Sequence, residues 1–373
     1  MSIFEDLTQE LKIVESESCH EGYWYSISDT LTILISGSLC GLTTIMEIHE
    51  WASSNPAKEF FERNFGIKRI LSKSQFYNIL AVVNAEAFKK SFIRWMQNIL
   101  KSALPGKTIA IDGKTICSTD KLTKDGSVLH IVSAYVSELK LTIGSNECNC
   151  KPHERAAFRE LLTMLNLTNT IIVADALHCN KPTIKAILEA DADYLLVVKD
   201  NASALKNGVQ ACLDASPAAT FITKEKNGGR IETRTAYTTT NLELLDCSND
   251  WQGIQCVGAI HRSFEKNGVT SNQWHLYISS KPLTPEQLLH HARMEWGVES
   301  MHWLLDVHFS EDKTRLFDMN VQNILNIVRK ICLNLVQTYK ASNHKPAMPA
   351  SRIMRANLFD TSVLEDFLVF FKQ

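Results

Sequence analysis

At 373 residues, with 45% hydrophobic and 21% charged side chains, the chain is long enough for two or three cores and too apolar to be disordered as a whole. Its formal charge of −2 does not exclude an anionic partner, because residues 1–50 carry −8, residues 54–101 carry +6 and residues 313–373 carry +5. Such asymmetry permits two basic surfaces suited to phosphate, although solvated helix faces account for it equally well.

The ten cysteines contain no C-x-x-C, which fits free thiols in a reducing cytosol better than a disulfide framework or a zinc knuckle. Met1 to Glu17 is acidic and amphipathic, unlike a signal peptide. Leu31 to Met46 is too short and too rich in Ser, Thr and Gly for a membrane span, and reads as a buried helix. A cytoplasmic protein without a membrane partner is therefore expected.

The first hundred residues read as helical. Ser72-Lys73-Ser74-Gln75 fits a capping box, followed by Phe76, Ile79, Leu80 and Val83 on one stripe. Asn84 caps a second helix bearing Phe88, Phe92, Trp95 and Ile99. The pair reads as a helix-turn-helix or as a packed hairpin. After Leu104-Pro105-Gly106 the texture changes. Thr108 to Ile111 is a short apolar strand ending at Asp112-Gly113, and Leu129 to Val136 and Lys140 to Ser145 are the next two strands. Glu154 to Leu165 is a helix, Thr170 to Ala174 a strand ending at Asp175, Lys181 to Ala190 a helix, and Tyr194 to Val198 a strand ending at Lys199-Asp200. The order β-β-β-α-β-α-β predicts a mixed sheet covered by helices.

From about 215 to 282, three strand-like runs (Thr233 to Thr239, Gln255 to Phe264, Trp274 to Ser279) between Asn/Gly turns predict a β-rich insertion. Thr284-Pro285-Glu286-Gln287 then starts a helix cleanly, with a cap and Pro at the first position. The expected division is a helical N-terminal domain over 1–103, an α/β core in two parts over 104–214 and 284–340, the insertion over 215–283, and a tail over 341–373.

Asp112 and Asp175 stand at strand ends, where side chains leave the core on a rigid backbone. Alone, each is more often a turn former. Glu299 adds a third acid, on a helix that places Glu295, His302 and Asp306 on the same face beside Trp296 and Trp303. Two strand-end aspartates and a helical glutamate, 63 and 124 residues apart, supply the hard oxygen ligands of a two-metal phosphoryl-transfer site. His290, His291, His302 and His308 lack Cys partners at ligand spacing and read as structural rather than zinc-binding.

The words around these acids are more specific than the acids. Ile109-Ala110-Ile111-Asp112-Gly113-Lys114-Thr115, Leu129-His130-Ile131-Val132-Ser133-Ala134-Tyr135, Asp175-Ala176-x-x-Cys179-Asn180-Lys181, and Ala192-Asp193-Tyr194 leading to Lys199-Asp200-Asn201 resemble successive motifs of the H-repeat-associated (Rhs-linked, ISAs-type) insertion-sequence transposases, a family of the DDE superfamily. Trp296-Gly297-Val298-Glu299, His302-Trp303, Leu305-Asp306-Val307, Phe309, Glu311-Asp312 and Arg315 resemble its third-acid signature, and residues 22–100 its helical domain. Departures are Glu295 where the family usually has His, Ser300 where it has Asn, a missing His before Gly229-Arg230, and the diverged word Cys150-Lys151-Pro152-His153-Glu154.

The resemblance implies an RNase H-like catalytic fold, with Asp112, Asp175 and Glu299 as catalytic carboxylates holding two Mg²⁺ (or Mn²⁺) ions. It implies cleavage at terminal inverted repeats of double-stranded DNA, strand transfer into target DNA by a 3′-hydroxyl, and a dimer on DNA. Lys114, Lys199, Asn201, Arg230, Arg234 and Arg315 are expected at phosphates, with salt-bridge roles as the alternative. Trp296 and Trp303 are expected either to stack on an unpaired base or to fill the core. Two rival readings are an inactive or domesticated relative that only binds DNA, and an actin-like kinase or ATPase suggested by Asp112-Gly113. The latter expects a second glycine-rich phosphate loop, which Asp175-Ala176-Leu177-His178 is not.

Overall fold

Six helices open the chain: α1 (Ile3–Ser16), α2 (Ile27–Leu39), α3 (Ile45–Ala52), α4 (Asn55–Phe65), α5 (Lys73–Val82) and α6 (Ala85–Leu100). The α/β part follows as β1 (Thr108–Thr115), β2 (His130–Val136), β3 (Leu141–Cys148), α7 (Glu154–Met164), β4 (Ile171–Ala174), α8 (Lys181–Glu189), β5 (Asp193–Val198) and α9 (Ser203–Ala215). Then come β6 (Ala219–Asn227), β7 (Arg230–Thr239), β8 (Cys256–Lys266), β9 (Val269–Ser279), α10 (Pro285–Phe309), α11 (Met319–Ser342), α12 (Ala350–Phe359) and α13 (Thr361–Phe370). The structure, a computed structural model, describes residues 3–18, 25–116, 128–148, 150–215, 219–227, 230–245, 250–266, 269–313, 316 and 318–370.

The helix starts follow the local chemistry. Ser72 and Gln75 form the expected capping box at α5, Asn84 accepts from the Ala87 amide at α6, and Thr284 and Gln287 form a second box at α10. The apolar run after Tyr25 becomes α2, buried from Thr30 to Leu39 among α1, α3, α5 and α11. No helix among the described residues is long and apolar enough to cross a membrane. α5 and α6 make little contact with each other, α5 lying instead on α2, α3 and α11. α6 buries Phe88, Phe92, Trp95, Met96 and even Lys89 against α1, β3 and α11, keeping Glu86, Lys90 and Asn98 exposed. A groove-reading helix needs a free face, and α6 has none of comparable width.

The strands form one mixed sheet in the order β3-β2-β1-β4-β5-β9-β8-β7-β6. β4 and β5 run parallel to β1, whereas β1, β2 and β3 pair antiparallel. This is the RNase H-like arrangement. The insertion does not form a sheet of its own, since β9 pairs antiparallel with β5 and the hairpins β8–β9 and β6–β7 extend the same surface. Three elements lie where the sequence pattern is weak. β6 reads Ala-Thr-Phe-Ile-Thr-Lys-Glu-Lys-Asn, an edge strand without apolar alternation, α9 carries only Leu205, Val209 and Cys212 inward, and the expected tail contains α12 and α13.

α11 joins the helical and α/β parts. Its side chains from Ile324 to Gln337 are all buried, and it packs on α2, α5, α6 and β3. At the β3 edge Asn334 acts in place of a further strand: its Oδ1 accepts from the Thr142 amide at 2.9 Å and its Nδ2 donates to the Thr142 carbonyl at 2.7 Å. A buried edge left unpaired costs about 1–3 kcal/mol per group. Asn334→Leu should therefore destabilise the protein by roughly 2–5 kcal/mol, read as a shift in the urea midpoint at unchanged slope.

Candidate active site

The sequence placed Asp112 at a strand end. The structure corrects this. β1 continues to Thr115 along β2, so Asp112 sits mid-strand opposite Ser133. What does end is the ladder with β4, whose last pair is Ala110 and Val173. From there β1 is only partly buried, and its Asp112 side chain is 36% exposed. β4 stops at Ala174, and Asp175 caps the short turn Ala176–His178 by accepting from the Leu177 amide at 2.9 Å. The two aspartates thus emerge from neighbouring strands where direct pairing has ceased.

α10 crosses above them. Gly297 lets it do so: a Cβ there would lie 2.6 Å from Ser137 Oγ and 3.3 Å from Tyr135. Ser137 Oγ donates to the Met294 carbonyl at 2.6 Å, fixing the helix on the sheet. The glycine of the Trp-Gly-Val-Glu word is therefore a close-approach residue. The consequence is a cleft of about 290 Å³ lined by Asp112, Asp175, Lys199, His275, Glu295, Trp296 and Glu299, among others. Asp112, Asp175 and Glu299 are brought together as expected from the sequence, and Glu295 joins them.

Four carboxylates in one cleft perturb one another. Burial first, then the charges of Asp175 and Asp112, push the Glu295 carboxyl up to about 7. Burial likewise raises Asp112 to about 6, with Asp175 and Glu154 adding to the rise against an opposing Gly113 backbone hydrogen bond. His302 is enclosed beside Asp112, its Nδ1 3.9 Å from the Oδ2 atom, and burial pushes its pKa down to about 3, so it sits there neutral.

Among the described residues no three His, Cys, Asp or Glu side chains stand close enough to enclose a metal ion. The donor set nevertheless fits magnesium. That ion takes hard oxygens, needs only one or two protein carboxylates, and completes its shell with water and substrate phosphate. Burial raises Asp112 and Glu295 first, and the part added by neighbouring carboxylate charge is what a cation in the cleft would relieve.

The other expected site residues divide sharply. Lys199 is exposed at the cleft. Lys114, expected at phosphate, is turned inward: it pairs with Asp306, with Glu311 at 2.9 Å and with Asp312 at 3.3 Å, and is only 14% exposed. Arg234 is also enclosed, paired with Glu225 at 3.1 Å and Glu232 at 2.9 Å. Asn201 donates to the Ala176 carbonyl at 2.8 Å and so steadies the turn at Asp175. The side chain of Arg230 and all of Arg315 lie outside the described residues. Trp296 and Trp303 are not core residues, being 40% and 60% exposed. The Trp296 ring carries the guanidinium groups of Arg234 and Arg262 at 5.6 and 5.3 Å. Arg262, also paired with Glu232, went unnoticed in the sequence because only the β7–β8 register brings it opposite Arg234.

These shifts set a sign for stability. Folded Glu295 binds its proton up to about pH 7, whereas an ordinary glutamate releases it near 4.5. The folded state then holds more protons than the unfolded one across that window, and stability falls as pH rises through it. Asp112 acts in the same direction between 3.8 and about 6. In EDTA, the melting temperature of the wild type should fall from pH 5 to pH 8. Glu295→Gln should flatten that fall and melt roughly 1–3 °C higher at pH 8.

Comparison with known proteins places this geometry. Residues 104–335 match the family model described as "Transposase DDE domain". The chain is 30% identical to the Escherichia coli O157:H7 protein "Putative transposase YncI" over 85% of this chain and 83% of that one. It is 28% identical to "H repeat-associated putative transposase YhhI" of Escherichia coli K12, covering 85% and 86% of the two chains. A solved piggyBac transposase synaptic complex with hairpin DNA aligns over 98% of this chain and 78% of that chain, at 12% identity and a TM-score of 0.45. The family match spans β1 to α11 and includes every carboxylate of the cleft: the chain belongs to the DDE transposase family.

Proposed function

We propose that this transposase cuts DNA at the inverted-repeat ends of a mobile element and joins the freed 3′-hydroxyl to target DNA, with Asp112, Asp175 and Glu299 as its catalytic carboxylates. The observation that carries the reading is the convergence of these acids, from β1, β4 and α10, on one cleft of a DDE-family chain.

Asp112 and Asp175 would hold one divalent magnesium or manganese ion, and Glu299, from the helix above, a second. Bound there, such a pair supplies polarisation of the scissile phosphate and activation of the attacking oxygen. The protein's own contribution is placement. The sheet fixes the aspartates, Gly297 and Ser137 fix the height of α10, and Lys199 at the cleft offers a positive charge to the phosphate being transferred. Glu295, protonated more readily than an ordinary glutamate, limits the negative charge that DNA meets. The exposed rings of Trp296 and Trp303 offer platforms for an unpaired base beside the cut, that of Trp296 flanked by two guanidinium groups. Two such subunits would hold the two ends of the element.

A linear DNA end bearing the cognate inverted repeat, incubated with protein and Mg²⁺, should be cleaved by the wild type. Asp175→Ala should reduce the rate by on the order of 10³-fold or more, the loss expected when several kcal/mol of charge stabilisation disappear. End binding without cleavage by the wild type would replace the enzyme reading with that of a DNA-binding relative, for which the fourth carboxylate is the favouring feature. Lys199→Ala should weaken binding across sequences and reduce the slope of log affinity against log salt by about 1.

A further inference from the structure

Behind the cleft, on the inner side of Gly113, lies a buried group that the chemistry above does not use. Glu154, the first residue of α7, is 3% exposed. It accepts a hydrogen bond from His178 Nε2 at 3.1 Å and lies 3.0 Å from His130 Nε2. His130 in turn shares a 2.9 Å hydrogen bond between its Nδ1 and Thr115 Oγ1 of β1. The ring of His178 stacks on Phe158 of α7 with centroids 4.1 Å apart. Both histidines are essentially inaccessible to water.

The placement of this group is the argument. Glu154 meets β1 and β2 on one side and, on the other, the last residue of the turn that Asp175 caps. The β1–β4 ladder has ended at Ala110 and Val173, so strand pairing no longer sets the distance between the two aspartates. Gly113 shows how close the carboxylate stands. A Cβ on it would fall 2.6 Å from the Glu154 carboxyl carbon and 2.4 Å from His130 Nε2. A fold of this size would bury an apolar side chain here at lower electrostatic cost. An ionised carboxylate is kept beside Asp112 instead, hydrogen-bonded by His178, paired in charge with His130 at 3.0 Å, and held near a pKa of about 2 despite its burial.

We propose that Glu154 is the positioning residue of the carboxylate site: through His178 and His130 it fixes the turn at Asp175 relative to the strand at Asp112, and so sets the affinity of the pair for a divalent cation. This rests on the metal-dependent reading above. Removing a group that orients metal ligands weakens binding by about 10- to 100-fold in comparable sites.

The test is calorimetric titration of Mn²⁺ into the full chain without DNA, alongside the melting temperature in EDTA. Glu154→Gln keeps the volume but removes the negative charge that His178 and His130 face, and should raise the Mn²⁺ dissociation constant at least about tenfold. Asp175→Asn should abolish the heat. His178→Gln, which can still donate an N–H toward Glu154, should restore most of the affinity that His178→Ala loses, a recovery that a bulk packing role would not produce. Wild-type affinity in a folded Glu154→Gln overturns the proposal. If that variant does not fold, equal affinities of His178→Ala and wild type overturn it. No Mn²⁺ heat with the wild type itself instead overturns the metal-dependent reading on which it rests.

Discussion

Bringing Asp112, Asp175, Glu295 and Glu299 into one cleft is opposed by their own charge, and the surrounding structure is organised to hold them there. Like charges in a partly enclosed site repel, and the neighbouring acids add to the burial that raises Asp112 and Glu295. The opposing forces are ordinary packing and ion pairing. Val298, Met301, Leu305 and Phe309 seat α10 on the core, while Lys114 ties the end of α10 and the following turn to β1 through three further carboxylates. Burial alone would lower the Lys114 pKa; the acids around it, Glu311 foremost, hold it above the ordinary value. Its charge therefore serves assembly of the cleft.

The same logic separates what was legible in the sequence from what was not. The apolar runs ending at Asp112 and Asp175, and the capped helix at Thr284, are local signals, and the sheet and α10 appear where those signals put them. Glu299 was legible through the words around it, and the helical spacing that put it on one face with Glu295 is matched by both lining the cleft. Arg234 and Lys114 misled because a basic residue near an acid motif looks the same in sequence whether it is solvated or paired. Their carboxylate partners come from other strands, or from the turn after α10.

Glu154 was present in the sequence only as part of a diverged word, and His130 and His178 as unremarked members of longer motifs. Glu154 is 24 residues from His178 and as far from His130, so no periodicity links them. Gly113, directly after Asp112, is the one local hint, since glycine there admits something pressed against the backbone. β6 and α9 were missed for a different reason. One is an edge strand with lysines on its exposed face, the other a helix with a narrow buried stripe, and both owe their form to neighbours rather than to their own pattern.

The sheet is closed at one end and open at the other. At β3, Asn334 occupies the place of a further strand, and α11 covers the edge. At the far end β6 is paired on one side only, with Lys224 exposed. Length can therefore be gained or lost only at the β6 side. Even there the two hairpins are not independent of the cleft, because β6, β7 and β8 pack on α10 and Arg234 and Arg262 flank its Trp296 ring. The wide separation between Asp175 and Glu299 is taken up largely by this extension, which carries the chain out to β6 and strand by strand back to β5 before α10 begins.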